Sequence, residues 1–463
     1  MTSQTNLHEN ISFFQRNRFG VQMIKKRKLI SPIAAGFVLI FIYVYFKSII
    51  DSFMGSEFFK LTLFSTAFGL VLIGFLMTIA RNRIYAVRNH FLWGILLIIC
   101  LSRNKDIYYG HYFAPMAFSI ALLSMVSSTY NTNWISSIVK TMILFTIIHS
   151  FATIILFLND GIYFKYIKPF FPGNFATGYK SGLTSHYSTN GIYLGLGLIV
   201  VSCRLFTQET KGVRNLIIPL SVLFALLLTT KRAHLLFSVM ALCIVFLALN
   251  SRNKRTSIFK LIFVISIVFS IIYMLGNIFP EVLTVFDRFI NYGEDITGGR
   301  ALLYEVAWEK FLENPIFGIG WGGFQYEFAK LNPQSAYGYT YMTTHNVFLQ
   351  LLCETGIIGF TIFLLASGIT VKKTYAFLSQ AIKKNTDFPK NYRLFLAISL
   401  GIQAFFLMYC MTGNPLYDIQ VQFPYFLSCG IFYSIEYQLV TKKRKDSKQN
   451  YAHAFGPQTK TES

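Results

Sequence analysis

His345 opens the stretch THNVFLQLLCETGIIGF, in which Asn346, Gln350 and Glu354 recur every fourth residue. That spacing sets the three polar side chains on one face of a helix. The apolar run 346–371, at about 1.5 Å per residue, is longer than the ~30 Å of bilayer hydrocarbon. A bend near Gly356 is therefore expected, with His345 at a helix start facing out of the membrane. The positive end of the helix dipole and nearby arginines both disfavour an imidazolium there. A neutral imidazole, with an ordinary pKa of ~6.5, can accept a proton near working pH. His345 is either such a base or a satisfied structural residue. Glu354 either orients the histidine or an arginine, or only braces the bend.

Two other segments carry cations in unusual places. TTKRAHLL puts Lys231 and Arg232 in a turn between two apolar runs. They either snorkel to lipid headgroups or serve a site. In GGRALLYEVAWEKFLENPIFGIGWGGF, Arg300 starts an amphipathic helix. Leu302, Leu303, Val306, Ala307 and Phe311 form its apolar face, and Glu305, Glu309 and Glu313 another. Trp308 suits the membrane interface, and Asn314-Pro315 ends the helix. The run GIGWGG, around Trp321, either offers backbone amides to an anion or makes a tight turn. No strand precedes it and no P-loop lysine follows, so it is no nucleotide motif.

The elements that must position these residues are membrane spans. The 463 residues are 54% hydrophobic and 13% charged, where a soluble chain carries roughly 25% charged residues. We read about twelve apolar spans, at 29–46, 58–80, 86–101, 112–129, 134–158, 184–203, 214–230, 233–249, 258–280, 346–371, 393–411 and 421–440. The domains expected are a cytoplasmic tail at 1–28, nine spans over 29–280, a large extracytoplasmic loop at 281–344, three spans over 345–440 and a second cytoplasmic tail at 441–463. Lys and Arg clusters flank the spans so that both termini lie inside by the positive-inside rule. The net charge of +22 thus reflects topology, and no basic-aromatic module points to nucleic acid. The six cysteines lack CxxC spacing, so no metal site or disulfide framework is expected. The outer loop 159–182, with GIYFKYIKPFFPG, is aromatic and basic. No internal repeat is evident, and Lys140, His149 and Glu436 form no midplane cluster, which disfavours a flippase or permease.

Arg300, Trp308, Pro315, Gly318, Gly320, Gly322, His345-Asn346, Glu354, Gly356 and Gly359, in this order and outer placement, resemble the bacterial O-antigen ligases and O-antigen or capsule polymerases. The similarity runs from about Gly182 to Phe360. Lys231-Arg232 stands where that family has a Ser-Arg turn. The segment HYSTN stands where it often has an asparagine, here Asn190. The resemblance implies an all-α polytopic membrane protein of GT-C-like glycosyltransferase architecture in the bacterial inner membrane, with its site on the periplasmic face. It implies glycosyl transfer with inversion from an undecaprenyl-diphosphate-linked oligosaccharide, without metal or other cofactor. His345 would be the general base, and Arg232 and Arg300 would stabilise the diphosphate. Arg288, Lys231, Asn346, Glu354, Asn190 and Trp321 would bind substrate. Membrane lipid, a flippase and a chain-length regulator of the same pathway are the partners implied. Polymerase and ligase share this chemistry and differ in acceptor; the aromatic-basic outer loop favours a polymerase, with a second anionic, sugar-bearing substrate.

Overall fold

The computed structural model describes residues 31–53, 57–79, 88–105, 112–129, 133–171, 178–207, 212, 214–283, 300–331, 342–383 and 390–455. The main elements are all helices: α1 (Pro32–Phe53), α2 (Glu57–Ile79), α3 (Arg88–Ser102), α4 (Phe113–Ser127), α5 (Asn133–Leu158), α6 (Tyr187–Thr207), α7 (Arg214–Leu228), α8 (Arg232–Leu249), α9 (Lys254–Ile278), α10 (Ala301–Glu313), α11 (Gly323–Leu331), α12 (Val347–Lys383), α13 (Lys390–Tyr409) and α14 (Ile419–Phe455). A helix satisfies its backbone internally, which is what an apolar run must do in lipid.

Each of the twelve stretches expected from the sequence coincides with a helix. Among the described residues, eight helices are long and apolar enough to cross a membrane, and three shorter ones, Asn89–Ser102, Phe113–Ser127 and Arg214–Leu228, are apolar. The protein is thus an integral, polytopic membrane protein. The last helix runs on to Phe455, past the boundary expected at 440.

The main core joins α1, α3, α4, α5, α6, α8, α12, α13 and α14 around buried aromatic residues such as Trp93, Trp134 and Tyr425. Close approach of α6 to α5 requires Gly197, since a Cβ there would stand 2.3 Å from Thr146. Small residues at helix contacts are what membrane packing favours. A second cluster lies among α6–α9. A third joins α10 and α11 to the first turns of α12, with Leu303, Val306 and Ala307 buried on one face of α10. Glu305, Glu309 and Glu313 are exposed on α10, as its spacing predicts, but so is Leu302.

The bend expected near Gly356 is present. Gly356 has φ 63° and ψ −170° inside α12, a conformation that suits glycine alone. The chain from Pro315 to Gly320 docks into the break. Ile319 N–H donates to the Cys353 carbonyl and Gly320 N–H to that of Glu354, both at 2.9 Å, while Ile357 N–H donates to Pro315 O at 2.9 Å. The backbone groups that the break frees are thereby bonded. A Cβ on Gly318 would meet the Glu354 carbonyl carbon at 2.4 Å, which is why this segment must be glycine-rich.

Candidate functional site

The polar residues of interest gather at one end of the bundle, where α1 and α13 finish and α6, α8, α12 and α14 begin. Charge and ring contacts connect them. Lys231 Nζ lies 4.1 Å from the centre of the Tyr187 ring. The Arg300 guanidinium donates to the Thr412 carbonyl at 2.9 Å. Both cations act on the His345 imidazole, whose pKa falls to about 4, first through burial, then through Arg300 and Lys231. The ring is therefore neutral at working pH, burial being the largest cause and the Arg300 and Lys231 charges adding to it.

His345 adopts a left-handed backbone with φ 54°, and Thr230, just before Lys231-Arg232, has φ 57°. For residues with a Cβ this conformation costs of order 1–2 kcal/mol. At His345 the surroundings hold it in place. The Thr344 N–H donates to Gln350 Oε1 at 3.2 Å, and Asn414 Nδ2 donates to the same oxygen at 2.6 Å. Gln350 Nε2 donates in turn to Glu354 at 3.1 Å. Asn346 fixes the other side, its Oδ1 accepting the Phe348 and Leu349 N–H groups at 3.1 and 3.2 Å as a helix N-cap.

Glu354 is 1% exposed, and its carboxylate is bonded on every side. It accepts from the Gly322 N–H at 3.0 Å, the Phe324 N–H at 3.3 Å and the Tyr417 hydroxyl at 2.8 Å, besides Gln350. The glycine run does present amides to an acceptor, and the acceptor is the Glu354 carboxyl group. Glu354 thus reaches His345 only through Gln350 and Thr344. Trp321 is wholly buried and stacks on Tyr417, centroids 4.3 Å apart. Asn190 is buried as well, donating to Thr153 Oγ1 at 2.9 Å and to the Lys180 carbonyl at 3.1 Å. Asn346, Glu354, Trp321 and Asn190 are all engaged with the protein itself. Asn346 remains half-buried, and Trp321 Nε1 and Asn190 Oδ1 are buried with no partner among the described residues. Arg288 lies outside the described residues.

The adjacent cations Lys231 and Arg232 part company. Lys231 acts on the histidines, while Arg232 lines a cavity of about 460 Å³ between α6, α7, α8 and α9, the one charged residue among its described lining. Leu198, Leu223, Val239, Val268 and Phe269 are among the apolar walls. Lys231 is the N-cap residue, in extended backbone with φ −90° and ψ 92°, whereas Arg232 opens the helix, so their side chains diverge.

Two contributors were not foreseen from the sequence. His186 precedes α6. Its Nδ1 accepts the Ser188 N–H at 3.1 Å, which leaves the ring proton on Nε2 when the ring is neutral. Burial and then Lys231 lower its pKa to about 4. The turn 410–418, CMTGNPLYD, is the second. Thr412 receives Arg300, Asn414 reaches Gln350, Tyr417 reaches Glu354, and Asp418 caps α14 by accepting the Gln420 N–H at 2.9 Å. Burial raises the Asp418 carboxyl above its ordinary range, against the Gln420 amide and the Lys47 charge. The only signal available in the sequence was a cluster of polar residues and a proline between two apolar runs.

Residues 217–364 match the family model described as O-Antigen ligase. The match bears out the resemblance drawn from the motif between Arg300 and Gly359. It includes Arg232, Arg300, His345 and Glu354, and leaves out His186 and the 410–418 turn. No curated protein matched the chain.

Proposed function

We propose that this membrane protein, whose middle stretch is of the O-antigen ligase and polymerase family, is a polysaccharide polymerase. It joins undecaprenyl-diphosphate-linked oligosaccharide repeats on the outer face of the bacterial cytoplasmic membrane. The observation that carries this reading is a neutral His345 held beside Arg300 and Lys231 at the bundle end, with an apolar cavity next door whose charged lining residue is Arg232. A lipid-linked diphosphate has this same division into a greasy tail, an anion and a sugar.

In the reaction, the acceptor hydroxyl oxygen attacks the anomeric carbon of the donor sugar from the face opposite the diphosphate. The bond between that carbon and the diphosphate oxygen breaks, and its electron pair leaves on the diphosphate. Arg300 and Lys231 neutralise the growing charge by charge-assisted hydrogen bonds. Arg232 holds the phosphate nearest the tail, and the cavity among α6–α9 takes the first isoprene units. His345 receives the hydroxyl proton, a contribution of roughly 10²–10⁴ in rate. Direct displacement inverts the anomeric carbon. No step in this scheme calls on a metal ion. The outer position follows from the basic clusters KKRK before α1 and after residue 441, with both termini inside, about twelve spans and a GT-C-like plan. A flippase and a chain-length regulator would act beside it.

The second reading is a ligase that passes the glycan to a lipid core or a protein, and the description of the matching family favours it. Deleting the gene and separating the surface polysaccharide on a gel decides between the two. A single repeat left on the core marks a polymerase; long lipid-linked chains that accumulate mark a ligase. Unchanged polysaccharide would overturn both.

A further inference from the structure

The bundle end has two flanks of different chemistry. The flank of Lys231 and Arg300 is cationic and backs onto the apolar cavity. The opposite flank is formed by the last turn of α1, beyond a break in helical geometry at Phe46, together with Ser185 and Asp418. Here Lys47 donates to Asp51 at 2.7 Å, Tyr43 donates to it at 3.5 Å, and Lys60 stands 3.8 Å away. Ser48 Oγ lies 3.0 Å from Ser185 Oγ and accepts the Ser185 N–H at 3.1 Å. The field of Lys47 reaches Asp418, and that of Asp418 reaches Tyr409, which also feels Arg300 and bonds Ser188. Ser185, bonded to Ser48, stands next to His186 in the chain, so the two flanks adjoin there.

This second flank balances two lysines against two aspartates. Asp51 and Asp418 would repel a diphosphate, so it is no second anion site. Its members instead alternate donors, acceptors and hydroxyls. A sugar hydroxyl both gives and accepts a hydrogen bond, and such a mixed set suits it. The Lys47 side chain keeps 37% of its exposure and that of Asp51 26%, so both are open to a ligand from outside. One turn beyond Asp418 on the same face of α14, Gln422 is 1% exposed, and neither of its side-chain amide atoms has a partner among the described residues. A buried amide in that state is expected to bond water or a ligand.

We propose that Lys47, Ser48, Asp51, Ser185 and Asp418 form the acceptor-saccharide subsite, which presents a sugar hydroxyl to His345 from the side opposite the lipid cavity. This rests on the donor reading given above and adds where the second substrate lies.

The test uses the full chain in lipid nanodiscs with two probes. One is undecaprenyl diphosphate alone; the other is the lipid-linked repeat isolated from a strain that lacks this gene. For Ser48→Trp and Lys47→Ala we expect stabilisation by undecaprenyl diphosphate equal to that of the unaltered protein, and polymer formation at least tenfold lower. Raising the concentration of the lipid-linked repeat should restore Lys47→Ala but not Ser48→Trp, and Lys47→Arg should keep most of the activity. Polymer formation at the ordinary rate in both variants overturns the subsite. So does loss of the stabilisation by undecaprenyl diphosphate in a variant whose melting temperature without ligand is unchanged, because those residues then belong to the donor. If the unaltered protein is itself not stabilised, the donor reading falls and the subsite falls with it.

Discussion

Two corners of the molecule, nine residues apart on one chain segment, hold buried polar groups on opposite terms. The Glu354 carboxyl group accepts from two backbone amides, a tyrosine and a glutamine among the described residues. Around His345 the neighbours are cations, the backbone is strained, and the imidazole is kept neutral. A saturated polar group fixes geometry and has nothing to offer a ligand. A strained, neutral ring between cations is poised for one, because a bound anion would offset both cations and raise its basicity. Reactive residue types thus mark both corners, and hydrogen-bond saturation separates the support from the candidate catalyst.

The sharpest way to break this contrast is to truncate both sides. His345→Ala or Arg300→Ala should reduce polymer formation by roughly 10²–10⁴ with the melting temperature kept. An active His345→Ala variant would remove the base. Glu354→Ala should do the reverse. It strands the Gly322 and Phe324 amides and the Tyr417 hydroxyl, each at about 1–3 kcal/mol, so the loss appears in thermal unfolding and in protein level, with Glu354→Gln milder. A Glu354→Ala protein that melts normally yet makes no polymer would put this carboxylate in the reaction.

A pH profile refines the His345 corner. The unprotonated ring is the active form, so kcat/KM should fall only as pH drops toward about 4. Replacing Lys231 by Met removes one cation, makes the imidazolium easier to form, and should move that acid limb upward, toward the ordinary ~6.5. An unmoved limb would detach Lys231 from the histidine. The smallest effect concerns the backbone. His345→Gly should abolish activity while relieving about 1 kcal/mol of left-handed strain, seen as a slightly higher melting temperature.

The helices and the bend at Gly356 were legible because apolar runs and a glycine after Glu354 act locally. A span count led us to expect Arg232, Arg300 and His345 together at one end of the bundle, whereas the cations that act on His345 are Arg300 and Lys231. The partners of Glu354 were not legible, since they come from a glycine run more than thirty residues earlier and from Tyr417, far later in the chain. Nor could the sequence divide Lys231 from Arg232, because that division depends on where the helix starts, with Lys231 in extended backbone before α8 and Arg232 inside it. Asp418 and His186 escaped notice for a related reason. Each sits in an ordinary-looking turn, and only packing between α1, α6, α13 and α14 brings them to the site.

The cavity beside Arg232 has α9 as one wall, and only 7% of the apolar stretch of α9 is buried. With 25 residues, α9 is about 37 Å long, against a hydrocarbon layer of ~30 Å. A helix longer than the hydrocarbon layer is accommodated by tilting, kinking or local thickening of the bilayer around it. The width of the cavity is then set partly by the thickness of the surrounding membrane. Lipids of longer or shorter acyl chain would change how this protein grips its substrate without touching one residue of the site.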